Sequence, residues 1–298
     1  MSALTIHAMP SHEAQAREVA EQLSAPVELI DVHHFPDQES LVTVMPTEPT
    51  AVVFCSLDRP NAKLVEIMLA ASALRNRGAT RLILLAPYMC YMRQDIAFQP
   101  GQAVSQQAVG QFLSGLFDRI ITVDPHLHRQ HDIAAVFVDS DAVAMSAAPL
   151  LAAFLGKRDD TGNAVLVGPD EESRQWVEAV AKPLGLETLT GQKTRRGDAE
   201  VSIDIPEPDR VDGRLAILID DVISTGVTLG RCAEALIAAG ATATEALTVH
   251  CLCDEKALAM LRKSGIRHIY STDSVTHSTN AIALAPLLSD ALKEETAV

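Results

Sequence analysis

The sequence predicts an α/β protein in which parallel sheets are flanked by helices. Short runs rich in Val, Ile and Leu alternate along the chain with segments whose apolar residues recur at helical spacing. Such runs are typical of parallel strands that are buried on both faces. Apolar residues make up 48% of the chain and charged residues 21%, with only 15 Gly and 15 Pro. This balance indicates a packed globular protein and excludes a fibrous or disordered one.

Each predicted strand is a short apolar run with polar or turn-forming residues on both sides. The six predicted strands are Ala51–Cys55, Leu82–Ala86, Arg119–Asp124, Ala164–Gly168, Leu215–Asp220 and Ala246–His250. Apolar residues three and four positions apart predict amphipathic helices. The three predicted helices are Glu13–Leu23, Lys63–Asn76 and Leu229–Ala239. The Ala-rich stretch Ala142–Leu155 is shorter than the ~20 residues that span a bilayer, so we expect a buried helix there.

Two segments share one layout, which indicates an internal duplication. Residues 51–86 and 216–250 each run strand, polar loop, helix, Gly-Ala-Thr turn and strand. The turn glycines Gly78 and Gly240 lie 162 positions apart (240 minus 78), which is about one domain length. A helix C-cap followed by a turn could repeat by chance. The shared order of elements favours duplication, and we predict domains 1–145 and 146–298.

Charge and cysteine content limit the partners and the compartment. The chain carries 24 Lys and Arg against 39 Asp and Glu, a net charge of −15. This charge repels nucleic acid and anionic membranes, so we expect neither as a partner and expect any phosphate ligand to need a local site. The five cysteines include no C-x-x-C pair, which predicts neither a disulfide framework nor a zinc site and favours a reducing cytoplasm. The first residues do not have the pattern of a signal peptide.

The segment 217–228 carries the strongest functional pattern. A buried strand ends in Asp220 and Asp221, and a short loop then leads into a helix. Three hydroxyl side chains and one glycine belong to this loop and to the first helical turn: Ser224, Thr225, Gly226 and Thr228. Backbone N–H groups and hydroxyls at a helix N-terminus suit a phosphate monoester, while strand-end carboxylates suit sugar hydroxyls. A plain helix cap would explain one hydroxyl and at most one carboxylate.

This loop resembles the phosphoribosyl-pyrophosphate loop of the type I phosphoribosyltransferase fold. With further motifs in order from about Phe35 to Thr228, the chain resembles the ribose-phosphate pyrophosphokinase family, the phosphoribosyl pyrophosphate synthetases. The resemblance implies two tandem type I phosphoribosyltransferase-like domains. It implies transfer of the β,γ-diphosphoryl group of Mg-ATP to the C1 hydroxyl of ribose 5-phosphate, giving phosphoribosyl pyrophosphate and AMP. Mg²⁺ is the implied cofactor, and the implied assembly is a homo-oligomer, from a dimer up to a hexamer.

Two motifs imply contacts with ATP. Residues 35–39, Phe-Pro-Asp-Gln-Glu, are similar to the family's Phe-x-Asp-Gly-Glu loop, which supports adenine and often comes from a neighbouring subunit. The implied contacts are Phe35, Asp37 and Glu39, although a surface turn would have the same sequence. Residues 87–95 resemble the family segment Pro-Tyr-x-x-Tyr-x-Arg-Gln-Asp and imply nucleotide contacts at Arg93, Gln94 and Asp95. An exposed Arg93 paired with Asp95 is the alternative.

Two further motifs imply magnesium ligands. Asp124-Pro125-His126 matches the family's strand-end Asp-x-His motif, in which the histidine helps to hold ATP-bound magnesium. His126 is therefore both an implied ATP contact and an implied metal ligand. Asp170 follows another strand and resembles the family carboxylate of the second magnesium site; a helix N-terminus rich in acids is the alternative.

The segment 192–198 is predicted to be turn-like and resembles the family's mobile Lys-x-Arg catalytic segment. The resemblance implies that Lys193 and Arg195 close over the transferring diphosphoryl group. A phosphoryl transition state needs such positive charge, although a solvated basic patch before a strand would have the same composition.

Two other functions stay open at this stage. A nucleobase phosphoribosyltransferase would use the loop at 220–228 but would need no ATP motif. A non-catalytic regulatory homologue would keep the fold and lose active residues. Departures from the family pattern at Gln38, Ile96, Ala97 and Glu171–Glu172 leave the second alternative in place.

Overall fold

The computed structural model describes residues 4–127, 132–196 and 200–296, without the side chains of residues 193–196 and 200–202. The chain divides into two compact units: Met1–Ser146 with Leu284–Val298, and Ala147–Ala283. The sequence places residues 284–298 in the second domain, whereas the structure groups them with the first unit. Within the described ranges, no helix is both long enough and apolar enough to cross a membrane.

The first unit is built on a parallel sheet with strand order β2-β1-β5-β6-β7-β8. Its strands are β1 Leu4–Ala8, β2 Val27–Leu29, β3 Asp31–His34, β4 Ser40–Thr43, β5 Thr50–Phe54, β6 Arg81–Ala86, β7 Arg119–Val123 and β8 Asp141–Met145. Strands β3 and β4 form a separate antiparallel hairpin. Helices α1 Glu13–Leu23, α2 Pro60–Asn76 and α3 Ser105–Ser114 accompany the sheet. The central strands are buried except for the first residues of β5 and β6, as parallel strands covered on both faces should be.

The second unit repeats this plan with strand order β10-β9-β13-β14-β15-β16, again all parallel. Its strands are β9 Val165–Gly168, β10 Glu187–Thr190, β11 Gln192–Arg196, β12 Glu200–Asp204, β13 Leu215–Ile223, β14 Ala243–Cys251, β15 Ile266–Thr272 and β16 Asn280–Ile282. Strands β11 and β12 form a separate antiparallel ribbon. The helices are α4 Ala148–Gly156, α5 Arg174–Ala181, α6 Val227–Ala238 and α7 Glu255–Lys263.

The equivalence of the two sheets supports the predicted duplication. In each unit, the second strand of that unit lies at one edge of the sheet and its first strand lies beside it: β2 and β1 in the first unit, β10 and β9 in the second. The glycines of the two Gly-Ala-Thr turns follow α2 and α6, and both have positive φ, 102° at Gly78 and 93° at Gly240. The repeated tripeptide is therefore the same helix-ending turn in two copies of one fold.

The chain closes with α8 Ala285–Leu292, which packs on α1 of the first unit. The Oγ hydroxyl of Ser289 donates to Gln22 Oε1 at 2.7 Å. Beyond the helix, Glu295 accepts two hydrogen bonds from the Arg81 guanidinium, both at 2.7 Å, and one from Arg119 at 2.7 Å. These contacts explain why the last residues belong with the first unit.

Two local expectations are wrong. The stretch Ala142–Leu155 is not one helix, because its first residues pair with β7 as strand β8 and only the later ones form α4. Residues 192–196, expected as a turn-like stretch, form strand β11 against β12. In both cases pairing with another strand decides the conformation, and the composition of the segment itself does not report such pairing.

Candidate functional site

The hydroxyl-rich loop of the second unit connects β13 to α6. Strand β13 runs past both aspartates to Ile223, because its parallel pairing with β14 continues through Val222 and Ile223. The loop itself is therefore only Ser224 to Gly226. Together with Asp220, the residues Val222 to Leu229 line a cavity of about 160 Å³. The carboxyl end of a parallel strand and the N-terminus of a helix thus meet at one small cavity.

Gly226 gives the loop its sharp turn into the helix. Its φ is 71°, in the left-handed region that glycine adopts without strain. A Cβ at this position would lie 2.9 Å from Cδ1 of Leu261, which is a steric overlap. Backbone conformation and packing both require glycine here.

The hydroxyls around this turn point to a ligand rather than to a plain cap. The N-cap position of α6 is Gly226, which has no side chain to offer the first helical N–H groups. Among the described residues, no hydrogen bond is seen to the hydroxyls of Ser224, Thr225 or Thr228. Helical N–H groups and hydroxyl donors around one cavity suit an anion such as a phosphate group.

Three carboxylates gather at the same end of the sheet. Asp220 and Asp221 lie on β13, and Asp170 follows β9, the neighbouring strand. The Asp221 N–H donates to Asp220 Oδ1 at 3.1 Å, and Asp221 is only 3% exposed. Burial raises the pKa of Asp220 well above its usual value, and the nearby charges of Asp221 and then Asp170 raise this pKa further. Clustered carboxylates with such mutual repulsion suit sugar hydroxyls or a divalent cation.

Asp170 also stabilises the chain that follows it. Its Oδ1 accepts from the Ser173 N–H at 3.3 Å, while Ser173 Oγ donates to the Asp170 carbonyl at 2.6 Å. The capping role considered for this residue is therefore present, and it uses one of the two carboxylate oxygens. Glu171 next to it forms a bidentate ion pair with Arg174 at 2.7 Å, so its charge is offset on the surface.

The predicted catalytic cations Lys193 and Arg195 lie on β11, and their side chains fall outside the described residues. Their backbone positions are described: Lys193 pairs with Ile203 and Arg195 with Val201 of β12. Ile203 is buried in the core of the second unit, and β12 packs against α6. The ribbon is therefore attached to the helix that begins at the hydroxyl-rich loop.

In the first unit, the segment 93–95 and His126 follow neighbouring strands, β6 and β7. Both therefore lie at the carboxyl edge of that sheet. Gln94 is held in place, because its Oε1 accepts from Ser105 Oγ at 2.6 Å and its carbonyl accepts from the Gln106 N–H at 3.1 Å. The Arg93 side chain is exposed, and no ion pair joins it to Asp95 in the part of the chain that the structure describes. Arg93 can therefore reach a ligand.

The loop at 35–39 lies at the tip of the β3–β4 hairpin. Phe35 is 42% exposed, and its ring meets His33 edge-on with centroids 5.0 Å apart. The turn closes through the Phe35 N–H to the Glu39 carbonyl at 2.8 Å and the Glu39 N–H to Asp37 Oδ1 at 3.2 Å. Gln38 replaces the family glycine and adopts φ of 73°, the conformation that glycine would take without strain. An exposed ring on a closed turn suits stacking on a planar base.

The structure thus forms two groups of predicted site residues in separate units, and a third at the hairpin. One cluster was not predicted from the sequence: Cys251, Cys253 and His277 bring their ligand atoms within 4.8 Å of one another. The Cys-x-Cys spacing was a visible signal, but the histidine comes from a loop 24 residues further along, at 277 against 253.

Comparison with known proteins agrees with this architecture. Residues 4–116 match the family model of the N-terminal domain of ribose phosphate pyrophosphokinase, and residues 138–284 match that of the phosphoribosyl transferase domain. The ribose-phosphate pyrophosphokinase of Methanopyrus kandleri is 36% identical over 279 residues, covering 93% of this chain and 94% of the relative. Ribose-phosphate pyrophosphokinase 2 of Archaeoglobus fulgidus is 34% identical over 94% of this chain and 97% of its own length.

A solved structure extends the likeness to three dimensions. The crystal structure of phosphoribosylpyrophosphate synthetase from Mycobacterium smegmatis superposes with a TM-score of 0.84, at 26% identity and 97% coverage of each chain. The fold and the loop after β13 define a protein with two tandem phosphoribosyltransferase-like domains, as the sequence predicted. The chain belongs to the ribose-phosphate pyrophosphokinase family and is an enzyme of nucleotide biosynthesis.

Proposed function

We propose that this enzyme transfers the β,γ-diphosphoryl group of Mg-ATP to the C1 hydroxyl of ribose 5-phosphate, giving phosphoribosyl pyrophosphate and AMP. The observation that carries the proposal is the cavity after β13, which hydroxyls, helical N–H groups and the half-buried Asp220 line, with the buried Asp221 next to Asp220 in the chain. A sugar that ends in a phosphate matches both halves of this cavity. Family membership supports ATP as the donor.

Ribose 5-phosphate would bind in the second unit. Its 5-phosphate would accept hydrogen bonds from the loop and the first turn of α6, at Ser224, Thr225, Gly226 and Thr228. Asp220 and Asp221 would accept hydrogen bonds from the ribose hydroxyls and so orient the C1 hydroxyl. The proximity of these groups supports this assignment, because the loop directly follows the strand that carries both aspartates.

ATP would be held by residues of the first unit. The exposed Phe35 ring would stack on adenine, with acceptors from Asp37 and Glu39 for its amino group. Arg93 would contact phosphate oxygens through its guanidinium, and Gln94 and Asp95 would contribute polar contacts. By family resemblance, the hairpin loop would serve a neighbouring subunit, which would make the enzyme a homo-oligomer. A reducing cytoplasm, which the five free thiols favour, would be its compartment.

The residues present fit Mg²⁺. Burial first, and then the charges of Asp221 and Asp170, raise the pKa of Asp220, which supports a divalent cation as a partner for these carboxylates. His126 is the proposed ligand of the ATP-bound magnesium, and Asp170 is the proposed ligand at a second magnesium site. Bound magnesium would reduce the negative charge of the polyphosphate that the C1 oxygen must approach.

Lys193 and Arg195 would neutralise charge on the transferring group. Attachment of their ribbon to α6 supports a place near the ribose 5-phosphate loop. The motifs named above assign no general base, and positioning with electrostatic stabilisation supplies most of the catalysis in phosphoryl transfer.

The test is to incubate the purified chain with ATP, Mg²⁺ and ribose 5-phosphate and to separate the nucleotides by chromatography. We expect AMP, dependent on ribose 5-phosphate, and no ADP. A second incubation, with phosphoribosyl pyrophosphate and each nucleobase, should form no nucleotide. Nucleotide formation there would replace this proposal with a phosphoribosyltransferase, and ATP binding without AMP would indicate a regulatory homologue.

Replacing Lys193 tests the catalytic assignment. We expect Lys193→Ala to lower kcat by about 100-fold or more, since one lost transition-state donor costs roughly that much, and to leave ribose 5-phosphate affinity nearly unchanged. Steady-state kinetics and calorimetric binding measure the two quantities. Lys182→Ala removes an exposed lysine from the same unit and is the matched control. An unchanged kcat in Lys193→Ala would remove the assignment.

A further inference from the structure

Two thiols and an imidazole meet at the carboxyl end of β14. Cys251 ends this strand and Cys253 follows it, and the two are 1% and 4% exposed. Their sulfurs lie 3.4 Å apart, and Nε2 of His277 lies 3.9 Å from Cys251 Sγ. Both cysteines are free thiols. Nothing in the proposed diphosphoryl transfer uses these three side chains.

The separation of the two sulfurs is close to that of two thiolates on a tetrahedral zinc ion. With Zn–S bonds of ~2.3 Å, two thiolates on one tetrahedral zinc lie about 3.8 Å apart. The observed separation of 3.4 Å needs an opening of only a few tenths of an ångström. The sulfurs are much further apart than the ~2.05 Å of a disulfide bond.

Surrounding hydrogen bonds hold the histidine in place. Its Nδ1 lies 2.8 Å from Thr279 Oγ1, and that hydroxyl lies 2.8 Å from Ser271 Oγ. The His277 backbone N–H donates to Asn280 Oδ1 at 2.8 Å. Nε2 lies 3.9 Å from Cys251 Sγ and donates to the Cys253 carbonyl at 2.9 Å, so it carries the ring proton and releases that proton when it binds a metal ion. An outer partner on one ring nitrogen, with the other facing further ligands, is the usual arrangement around zinc-bound histidines.

We propose that Cys251, Cys253 and His277 form a binding site for one Zn²⁺ ion. Two thiolates and an imidazole are borderline-soft ligands that zinc prefers, whereas magnesium prefers oxygen. The site is thus separate in chemistry from the magnesium ligands proposed for catalysis. Two thiolates balance the charge of the ion, and a water molecule completes four ligands.

Its position beside the ribose 5-phosphate loop gives this ion a structural role. Cys251 is the register partner of Ile223, and the Leu252 N–H donates to the Ile223 carbonyl at 2.8 Å. Ile223 directly precedes Ser224, the first residue of the loop. Zinc would link the end of β14 to the segment between β15 and β16 that carries His277. Strand β14 pairs with β13, the strand that leads into the ribose 5-phosphate loop.

The experiment uses Co²⁺ as a spectroscopic probe of the reduced full chain, in excess Mg²⁺. Thiolate-bound cobalt gives intense charge-transfer absorption that oxygen and nitrogen ligands do not give. We expect one Co²⁺ per chain with this absorption and its loss on addition of Zn²⁺. This measurement does not depend on AMP formation, so the zinc site is tested independently of the proposed synthetase activity.

Variants assign the ligands. Cys251→Ser and Cys253→Ser should each reduce the charge-transfer absorption, and the double variant should abolish it. Thr279→Val, which removes the outer partner of His277, should weaken cobalt binding by about 10- to 100-fold. The matched controls Cys55→Ser, in the other unit, and His268→Gln, on the surface of β15, should bind as the wild type does.

Absence of thiolate-to-cobalt absorption in the reduced wild type would overturn the proposal. Unchanged absorption in a folded double variant would also do so, because the thiolates would then lie elsewhere. If the double variant fails to fold, X-ray absorption of the zinc-loaded wild type decides: two sulfurs and a nitrogen around zinc are expected. A zinc shell of oxygen and nitrogen alone would overturn the proposal.

Discussion

Gly226 is the residue at which the geometry of the proposed phosphate-binding loop depends on the absence of a side chain. Its φ of 71° and the 2.9 Å approach that a Cβ would make to Leu261 leave no room for alanine. We expect Gly226→Ala to lower the free energy of unfolding by about 1–3 kcal/mol and to weaken ribose 5-phosphate binding at least tenfold. Urea denaturation and calorimetry measure the two effects.

Gly162→Ala is the matched control for this substitution. A Cβ at Gly162 would meet no atom within 4 Å, and its φ is not in the left-handed region. We expect unchanged ligand binding in this variant. Equal ribose 5-phosphate affinity in Gly226→Ala and in the wild type would mean that the loop does not hold the phosphate.

His7 makes the fold sensitive to acid. Its side chain is fully buried in β1, and neither ring nitrogen has a hydrogen-bond partner among the described residues. Burial lowers the pKa of His7 from 6.5 to about 4, so the unfolded chain binds a proton more readily than the folded chain does. Stability from this residue is complete above pH 6.5 and is lost as the pH falls towards 4.

We therefore expect the free energy of unfolding to fall by about 2 kcal/mol at pH 5 through His7 alone. His7→Leu should remove this part of the loss, while His268→Gln, an exposed histidine, should keep it. Urea denaturation at pH 7.5 and at pH 5 measures the difference. Equal acid losses in His7→Leu and in the wild type would contradict the argument.

Single residues show which parts of the candidate site could be predicted from the sequence and which could not. The hydroxyls and aspartates around Gly226 were predicted together because they lie within one short segment. The capping bond of Asp170 was weighed only as an alternative, and it is present. The cluster of Cys251, Cys253 and His277 was missed, because it depends on a loop returning to the end of β14, which no local pattern reports.

At the scale of elements, the residues that follow α8 pair with the first unit through the carboxylate of Glu295. Glu295 is only 9% exposed on its side chain and pairs with both Arg81 and Arg119. We expect Glu295→Ala to lower the free energy of unfolding by about 2–4 kcal/mol, because two arginines lose a largely buried partner. Thermal or urea denaturation gives the value.

The neighbouring Glu294→Ala is the control, since Glu294 is exposed. It should change stability by less than about 0.5 kcal/mol. If Glu295→Ala is as stable as Glu294→Ala, the ion pairs do not hold the segment. If Glu295→Ala loses less unfolding free energy at high salt than at low salt, the ion pairs are screened by salt.

Elements whose apolar residues recur at a clear spacing were predicted well, whereas polar or alanine-rich elements were not. Helix α1 has the predicted bounds, since its apolar residues follow a clear helical spacing. Strand β11 has a highly polar sequence, and only its pairing with β12 makes it a strand. Strand β8 lies in an Ala-rich stretch whose composition favours a helix, and pairing with β7 overrides this preference.

At the scale of the whole molecule, duplication is the feature that the sequence reported most directly. The repeated Gly-Ala-Thr turn marked equivalent positions in two sheets of the same strand order. What the repeat could not report is the return of α8 to the first unit, since this helix has no counterpart in the repeated pattern. Two copies of one fold have kept different predicted ligands, nucleotide in one and ribose phosphate in the other.

The most direct test of this division is a phosphorus NMR time course of the pure protein with ATP, Mg²⁺ and ribose 5-phosphate. The account predicts that the diphosphoryl group moves intact, so that AMP and phosphoribosyl pyrophosphate appear in equal amounts as ATP disappears. Formation of ADP with a ribose bisphosphate would contradict it, because a single phosphoryl group would then have moved. So would folded protein that binds ribose 5-phosphate and forms neither product.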